Sequence, residues 1–291
     1  MQFADMTFGT EIECYVPIPK RNRIKPALEA AGLLVSEITF GSIHATTPGW
    51  KIVPDASLND PRFVPAGHVG VEVVSPILQG ENGIADLIKV ANIIKSLDGT
   101  VNTKCGLHVH VGAKTASPMQ LRNLAKVFLK YEHHFDSLCP ISRRSNQFAR
   151  SNRAQAAGLV GNDYDAVIAA AFPKLDAARS VGALATVMNG GYRRAGTSHY
   201  NQERYFKLNF QSMASHGTVE YRQHAGTVEA AKMVAWVRLV VAMTATAFTL
   251  KSPATLERPT FAQMMAKVDR PTAKFLAARR VSLNAGVDLE D

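Results

Sequence analysis

Five short stretches of this chain alternate apolar residues with ionisable or amide residues at every second position. That is the period of a β-strand whose two faces meet different surroundings. In Thr7 to Glu13, Gly9, Glu11 and Glu13 share one face, and Phe8, Thr10 and Ile12 share the other. In Val71 to Ser75, Glu72 opposes Val71 and Val73. In Leu107 to Gly112, His108 and His110 oppose Leu107, Val109 and Val111. In Tyr205 to Gln211, Lys207 and Asn209 oppose Phe206, Leu208 and Phe210. In Thr218 to His224, Glu220, Arg222 and His224 oppose Val219 and Tyr221. Such strands favour an antiparallel sheet with helices on the apolar face and a concave polar face left open.

Helical periodicity supplies the cover. Ile84, Leu87, Ile88, Ala91, Ile94 and Leu97 mark a helix over Gly83 to Leu97. Ser117-Pro118 reads as an N-cap with proline at the first helical position, and the helix it opens ends before Pro140. Weaker helices are expected over Asp163 to Phe172 and Leu175 to Met188, and a long apolar one over Glu229 to Leu250. A short helix starts near Thr260, and the tail from about Val281 is expected to be loose. Thr46 to Gly49 and Asn59 to Gly70 read as loops, and Asn189 to Gln202 as a mobile flap or a plain surface connection. The division expected is a domain over 1–250 and a helical extension with a tail over 251–291.

With 46% hydrophobic residues in 291, the chain can bury a sizeable core. The formal net charge of +9 favours anionic partners. Its cations are scattered in pairs such as Arg143-Arg144 and Arg193-Arg194, with no run of five, so a nucleic-acid tail is not expected. Cys14, Cys105 and Cys139 lack disulfide-framework or metal-knuckle spacing, which suits inert thiols in a reducing compartment. The N-terminus lacks a basic region followed by an apolar stretch, and Arg238 interrupts the most apolar segment, Val234 to Leu250. A soluble cytoplasmic protein is the expectation.

The polar faces carry the chemistry. Carboxylates and imidazoles crowded on one sheet call for cations, and a carboxylate-rich set selects Mg²⁺ or Mn²⁺ over zinc, which prefers His and Cys. Each piece alone is weak: a Glu-x-Glu is usually a solvated face, and a Glu-x-Arg usually a cross-strand ion pair. Their agreement over five strands is the stronger signal.

FGTEIE (8–13), WKIVPDASL (50–58), VEVVSPIL (71–78), CGLHVHVG (105–112), SRRSN (142–146), FKLNF (206–210) and TVEYRQHAGT (218–227) together resemble the amidoligase family. That family is grouped with glutamine synthetase and glutamate–cysteine ligase among the carboxylate–amine ligases. The resemblance runs from about Phe8 to Trp236. It implies an α+β, glutamine synthetase-like catalytic domain, with a curved, mainly antiparallel sheet and helices packed on its apolar face. It implies ATP and Mg²⁺ (or Mn²⁺) as cofactors, and a carboxylate and an amine as substrates joined through an acyl phosphate. Residue by residue, Glu11 and Glu13 match a metal-binding Glu-x-Glu, and Glu72 a further metal carboxylate. His108 and His110 match a pair of which one ligates metal and the other contacts substrate or phosphate; His110 is set down as the ligand and His108 as catalytic. Glu220 matches another metal carboxylate and Arg222 the arginine on the transferred phosphoryl group. Lys207, Arg143 and Arg144, with Asn209, are expected phosphate or carboxylate contacts. Glu72 or His224 could serve as general base, and Asp55 and Ser57 are expected to face substrate. No Walker A sequence occurs, so ATP would be held by the sheet.

Rival readings are a metal-dependent hydrolase using the His-x-His and Glu residues without ATP, a nucleic-acid-binding protein, and a ligase fold retained only for binding. The acid, the amine and the oligomeric state stay open.

Overall fold

The structure is a computed structural model and describes residues 3–39, 43, 45–158, 163–193, 202–251 and 258–286. It combines helices with an antiparallel sheet. The chain divides into two compact units, one made of Ala4–His110 with His224–Val237, the other of Met1–Phe3, Val111–Gln223 and Arg238–Asp291.

The first unit is built on a long strand, β1 (Thr7–Pro17). Strand β3 (His68–Val74) runs antiparallel to it, with Glu13 opposite Glu72 and Glu11 opposite Val74. The short β2 (Lys51–Val53) pairs antiparallel with β3, placing Lys51 opposite Val74 and Val53 opposite Glu72. The two-residue β4 (Leu78–Gln79) pairs with the start of β1, and β5 (Gly106–Gly112), which begins in this unit, lies on the far side of β1 from β3. The apolar face forms as the alternation requires: Phe8, Ile12, Cys14, Val71, Val73, Leu107 and Val109 are buried. Helix α2 (Gly80–Ser96) buries Ile84, Leu87, Val90, Ala91 and Ile94, each of the larger side chains contributing about 1.5–3 kcal/mol over leaving it in water. It approaches the sheet at Gly83, where a Cβ would lie 2.8 Å from the Leu78 Cβ and 3.1 Å from the Phe8 Cζ. Helix α1 (Ile24–Ala30) packs on α2.

The second unit is organised by α3 (Pro118–Ser137). Ser117 and Gln120 close a reciprocal capping box at its start. Helices α4 (Ile141–Arg144), α5 (Asn152–Ala157), α6 (Tyr164–Ala177) and α7 (Val181–Asn189) pack against α3, so polar side chains such as Lys126 and Glu132 are buried along with its apolar stripe. Strand β6 (Leu208–Asn209), the short α8 (Ser212–Ser215) and β7 (Thr218–Ala225) follow. β6 and β7 are antiparallel, with Asn209 opposite Glu220. Tyr221 sets its ring 6.0 Å from Phe128 and 6.2 Å from Phe135, while its hydroxyl meets the Thr244 hydroxyl at 2.8 Å. Helices α10 (Phe261–Met265) and α11 (Arg270–Leu283) complete this unit, capped by Thr260 and Asp269. Helix α9 (Ala230–Thr249) has residues in both units. It is long and apolar enough to cross a membrane, yet 67% of its most apolar window is buried inside the protein, as in a core helix.

Several expectations need correction. The strand expected over Tyr205 to Gln211 shrinks to two residues: the Tyr205 carbonyl and the Lys207 N–H pair with the Arg150 backbone, while the Lys207 carbonyl accepts the Arg222 N–H of the following strand. Pro173 does not end α6, which continues to Ala177; the break falls at 178–180, where Ser180 caps α7. α11 runs through Val281 to Leu283 instead of leaving it loose. Asn189 and Gly190 terminate α7, the glycine at φ 76°, a left-handed conformation that suits glycine at a helix C-terminus. The centre of the expected flap, 194–201, lies outside the described residues.

Candidate active site

In the first unit the antiparallel register stacks two rows of side chains on one face: Lys51, Val74 and Glu11 in one, Val53, Glu72 and Glu13 in the next. β5 adds His108 and His110. The Glu11 carboxylate lies between the two imidazoles, with Oε2 2.9 Å from His108 Nδ1 and Oε1 3.2 Å from His110 Nε2. Burial alone would push the Glu11 carboxyl up, but the hydrogen bonds and charge of His108 and His110 together hold it well below the usual carboxylate range. It is therefore ionised at neutral pH. One ligand-capable atom from each of Glu11, Glu72 and His108 lies within 4.8 Å of the others.

The Glu13 Oε2 accepts the Gly106 N–H at 2.6 Å, and its Oε1 lies 3.7 Å from His108 Nε2. One oxygen thus fixes the start of β5 and the other faces the imidazole. The His224 ring lies 5.0 Å from that of Trp236, tilted by 48°, and its Nδ1 lies 2.6 Å from the Ala225 carbonyl. Asp55 accepts both the backbone N–H and the hydroxyl of Ser57 at 2.8 Å, a local turn that caps residues 56–58.

A residue that the alternation did not single out stands on the same face. Lys51 is buried, and its Nζ donates to the carbonyls of Ile43 at 2.7 Å and Ala45 at 2.6 Å. Its strand has three residues, too few for a period to be read. The available signal was its place next to VPDASL in a motif already noted.

In the second unit, Glu220 is buried with both oxygens engaged, one by the Arg222 guanidinium and the other by Asn209 Nδ2 at 2.7 Å. Lys207, Arg143 and Arg144 were expected to contact phosphate or carboxylate; the structure gives each of them protein partners. Lys207 is 1% exposed and donates to Glu132 at 2.9 Å and Asp136 at 2.6 Å, both on α3. Arg143 donates to the backbone carbonyls of Arg222 at 2.6 Å and Gln223 at 3.1 Å, fastening α4 to β7. Arg144 donates to the carbonyls of Cys139 at 2.8 Å and Leu283 at 3.4 Å.

Two carboxylates and one imidazole, one carboxylate ionised and all converging within 4.8 Å, make a donor set that fits a hard divalent cation such as Mg²⁺ or Mn²⁺. Cys14, Cys105 and Cys139 are buried and form no disulfide with one another, and burial pushes the Cys14 and Cys139 thiols up, Cys139 to about 12, so those two are poor metal ligands.

No curated protein matches the chain. Among solved structures, a bifunctional glutathione synthetase from Pasteurella multocida is similar at a TM-score of 0.37 and 12% identity, covering 96% of this chain and 40% of that one. The chain thus spans less than half the length of that synthetase. The model of the family described as "Putative amidoligase enzyme" matches residues 4–244. That span holds every strand among the described residues and all of the Glu11, Glu72 and His108 cluster, and the chain belongs to the amidoligase family of ligases.

Proposed function

We propose that this protein is an ATP-dependent carboxylate–amine ligase with a glutamine synthetase-like sheet, forming an amide on an amino acid, a peptide or a protein side chain through an acyl phosphate. The observation that carries this reading is the convergence of Glu11, Glu72 and His108 on one polar sheet face. When bound there, Mg²⁺ or Mn²⁺ would supply positive charge against the phosphates of ATP.

The protein's own residues set up that site. His108 and His110 keep the Glu11 carboxylate ionised and fixed in place. Glu13 holds the entry of β5 through Gly106, and its other oxygen faces the His108 ring. Preorganised charge of this kind needs no rearrangement during reaction, the usual source of most catalytic stabilisation. In the proposed chemistry a substrate carboxylate oxygen attacks the γ-phosphorus and ADP leaves. The amine nitrogen then attacks the acyl carbon, phosphate leaves, and the nitrogen gives its proton to a base, for which Glu72 or His224 is proposed. Arg222 is proposed to act on the transferring phosphoryl group, following the family resemblance. A reducing, cytoplasmic setting suits the three buried free thiols.

The test is calorimetric titration of ATP with and without Mg²⁺, on wild type and Glu11→Gln, followed by ADP release with panels of acids and amines. Metal-dependent ATP binding lost in the variant is expected. Tight divalent-metal binding without ATP binding would overturn the ligase reading in favour of a metal-dependent hydrolase.

A further inference from the structure

Lys51 stands in the same cross-strand row as Glu11, separated from it by Val74. Two strand spacings of about 4.8 Å lie between their backbones. Glu72 is the diagonal neighbour of Lys51 across β2 and β3, about 7–8 Å away and within reach of a long side chain. The Lys51 side chain does not run out to water. It is 3% exposed, and the carbonyls of Ile43 and Ala45 hold its Nζ. Burial lowers the pKa of this ammonium, and the negative field of Glu72 and then of Glu11 opposes that shift. An ammonium withdrawn from water is costly unless nearby groups compensate it. Here the compensation comes from two fixed carbonyls on one side and the acidic face on the other.

We infer that Lys51 is a positioning residue, a resident cation held over the acidic face that weakens the protein's own affinity for a divalent ion, so that the ion is bound together with a polyphosphate and not as a permanent fixture. The inference rests on the reading of Glu11, Glu72 and His108 as a metal-binding set. It follows from like-charge repulsion: a divalent cation entering beside Glu11 and Glu72 meets a fixed positive charge already there. Mg²⁺ generally completes its shell with substrate phosphates rather than with an all-protein cage, which matches a site tuned to be weak on its own.

The test is Mn²⁺ binding by calorimetry to the nucleotide-free, chelator-stripped full chain, for wild type, Lys51→Met and Lys51→Arg, with circular dichroism as the check on folding. Lys51→Met should bind Mn²⁺ at least about tenfold tighter than wild type, roughly 1.4 kcal/mol, and Lys51→Arg within about twofold of it. A merely structural lysine would leave affinity unchanged or weaken it in the methionine variant, and either result on folded protein overturns the inference. Should Lys51→Met fail to fold, Lys51→Gln, neutral but still able to donate to a carbonyl, is read by the same criterion. Failure of both wild type and Lys51→Met to bind Mn²⁺ would overturn the metal-site reading and this inference with it; wild-type binding with unchanged variants overturns this inference alone.

Discussion

Replacing Lys207 by methionine separates a structural role from an anion-binding one. Lys207 is a buried ammonium facing two carboxylates, Asp136 at 2.6 Å and Glu132 at 2.9 Å. Glu132 uses its second oxygen on the Arg153 N–H at 2.9 Å, and the Gln223 amide donates to Asp136. One cation cannot neutralise two carboxylates. Burial pushes Asp136 up, the Lys207 charge pulls it down and Glu132 adds to the rise, leaving it at about 6. For Lys207, burial works to lower its value, but Glu132 and Asp136 more than offset that and raise it. The two shifts assign the strain to the second carboxylate and not to the lysine. Lys207→Met removes the cation and leaves its two carboxylate partners uncompensated away from water, a change that typically costs about 3–5 kcal/mol. For a chain of this size that lowers the melting temperature by on the order of 10 °C. Thermal and urea unfolding by circular dichroism at pH 7 read it directly. The deficit should narrow as pH falls toward about 6, because without the Lys207 charge Asp136 takes up its proton at a higher pH than in wild type. A variant that melts with wild type while losing ATP affinity would refute this reasoning and return Lys207 to the phosphate contact that the family resemblance implied.

Asp136→Asn should do the opposite. A carboxyl raised from 3.8 to about 6 opposes folding once ionised, so its contribution is fully present below the unfolded value and lost as pH rises through about 6. The asparagine variant should gain roughly 2–3 kcal/mol above that pH and lose the pH dependence between; a destabilised variant at pH 8 contradicts it. Glu11→Gln should weaken Mn²⁺ binding by more than about 100-fold, beyond what loss of an outer partner usually costs, as read by calorimetry. Because the Glu11 carboxyl is depressed when folded, its stabilisation is present above the unfolded value of 4.5 and lost as pH falls through the folded one. An acid-unfolding profile in which Glu11→Gln runs parallel to wild type between 4.5 and the folded value would count against the two histidine bonds. Arg143→Ala removes charged donors from two carbonyls at the end of β7 and should cost about 2–4 kcal/mol, visible as a lower urea midpoint. An unshifted midpoint would leave Arg143 free for the anion role.

The sequence by itself determined which residues share a face. Strand alternation has a period of two, so Glu11, Glu72, His108 and His110 had to point together away from Phe8, Val73 and Val109 once these stretches formed strands. The caps of α3, α6 and α10 were equally local, since Ser117, Asp163 and Thr260 bond to N–H groups three residues on. Tertiary structure decided what each polar face meets. Lys207 alternates correctly along its segment, yet its partners come from α3, some 70 residues away. The family resemblance implied an anion clamp at Arg143 and Arg144, but backbone carbonyls of β7, Cys139 and Leu283 take their donors. Lys51 joined the acidic face only through the pairing of β2 with β3 and of β3 with β1. Periodicity acts along a strand and is written in its own residues. Charge pairing acts through space, between segments whose proximity exists only after the chain has folded.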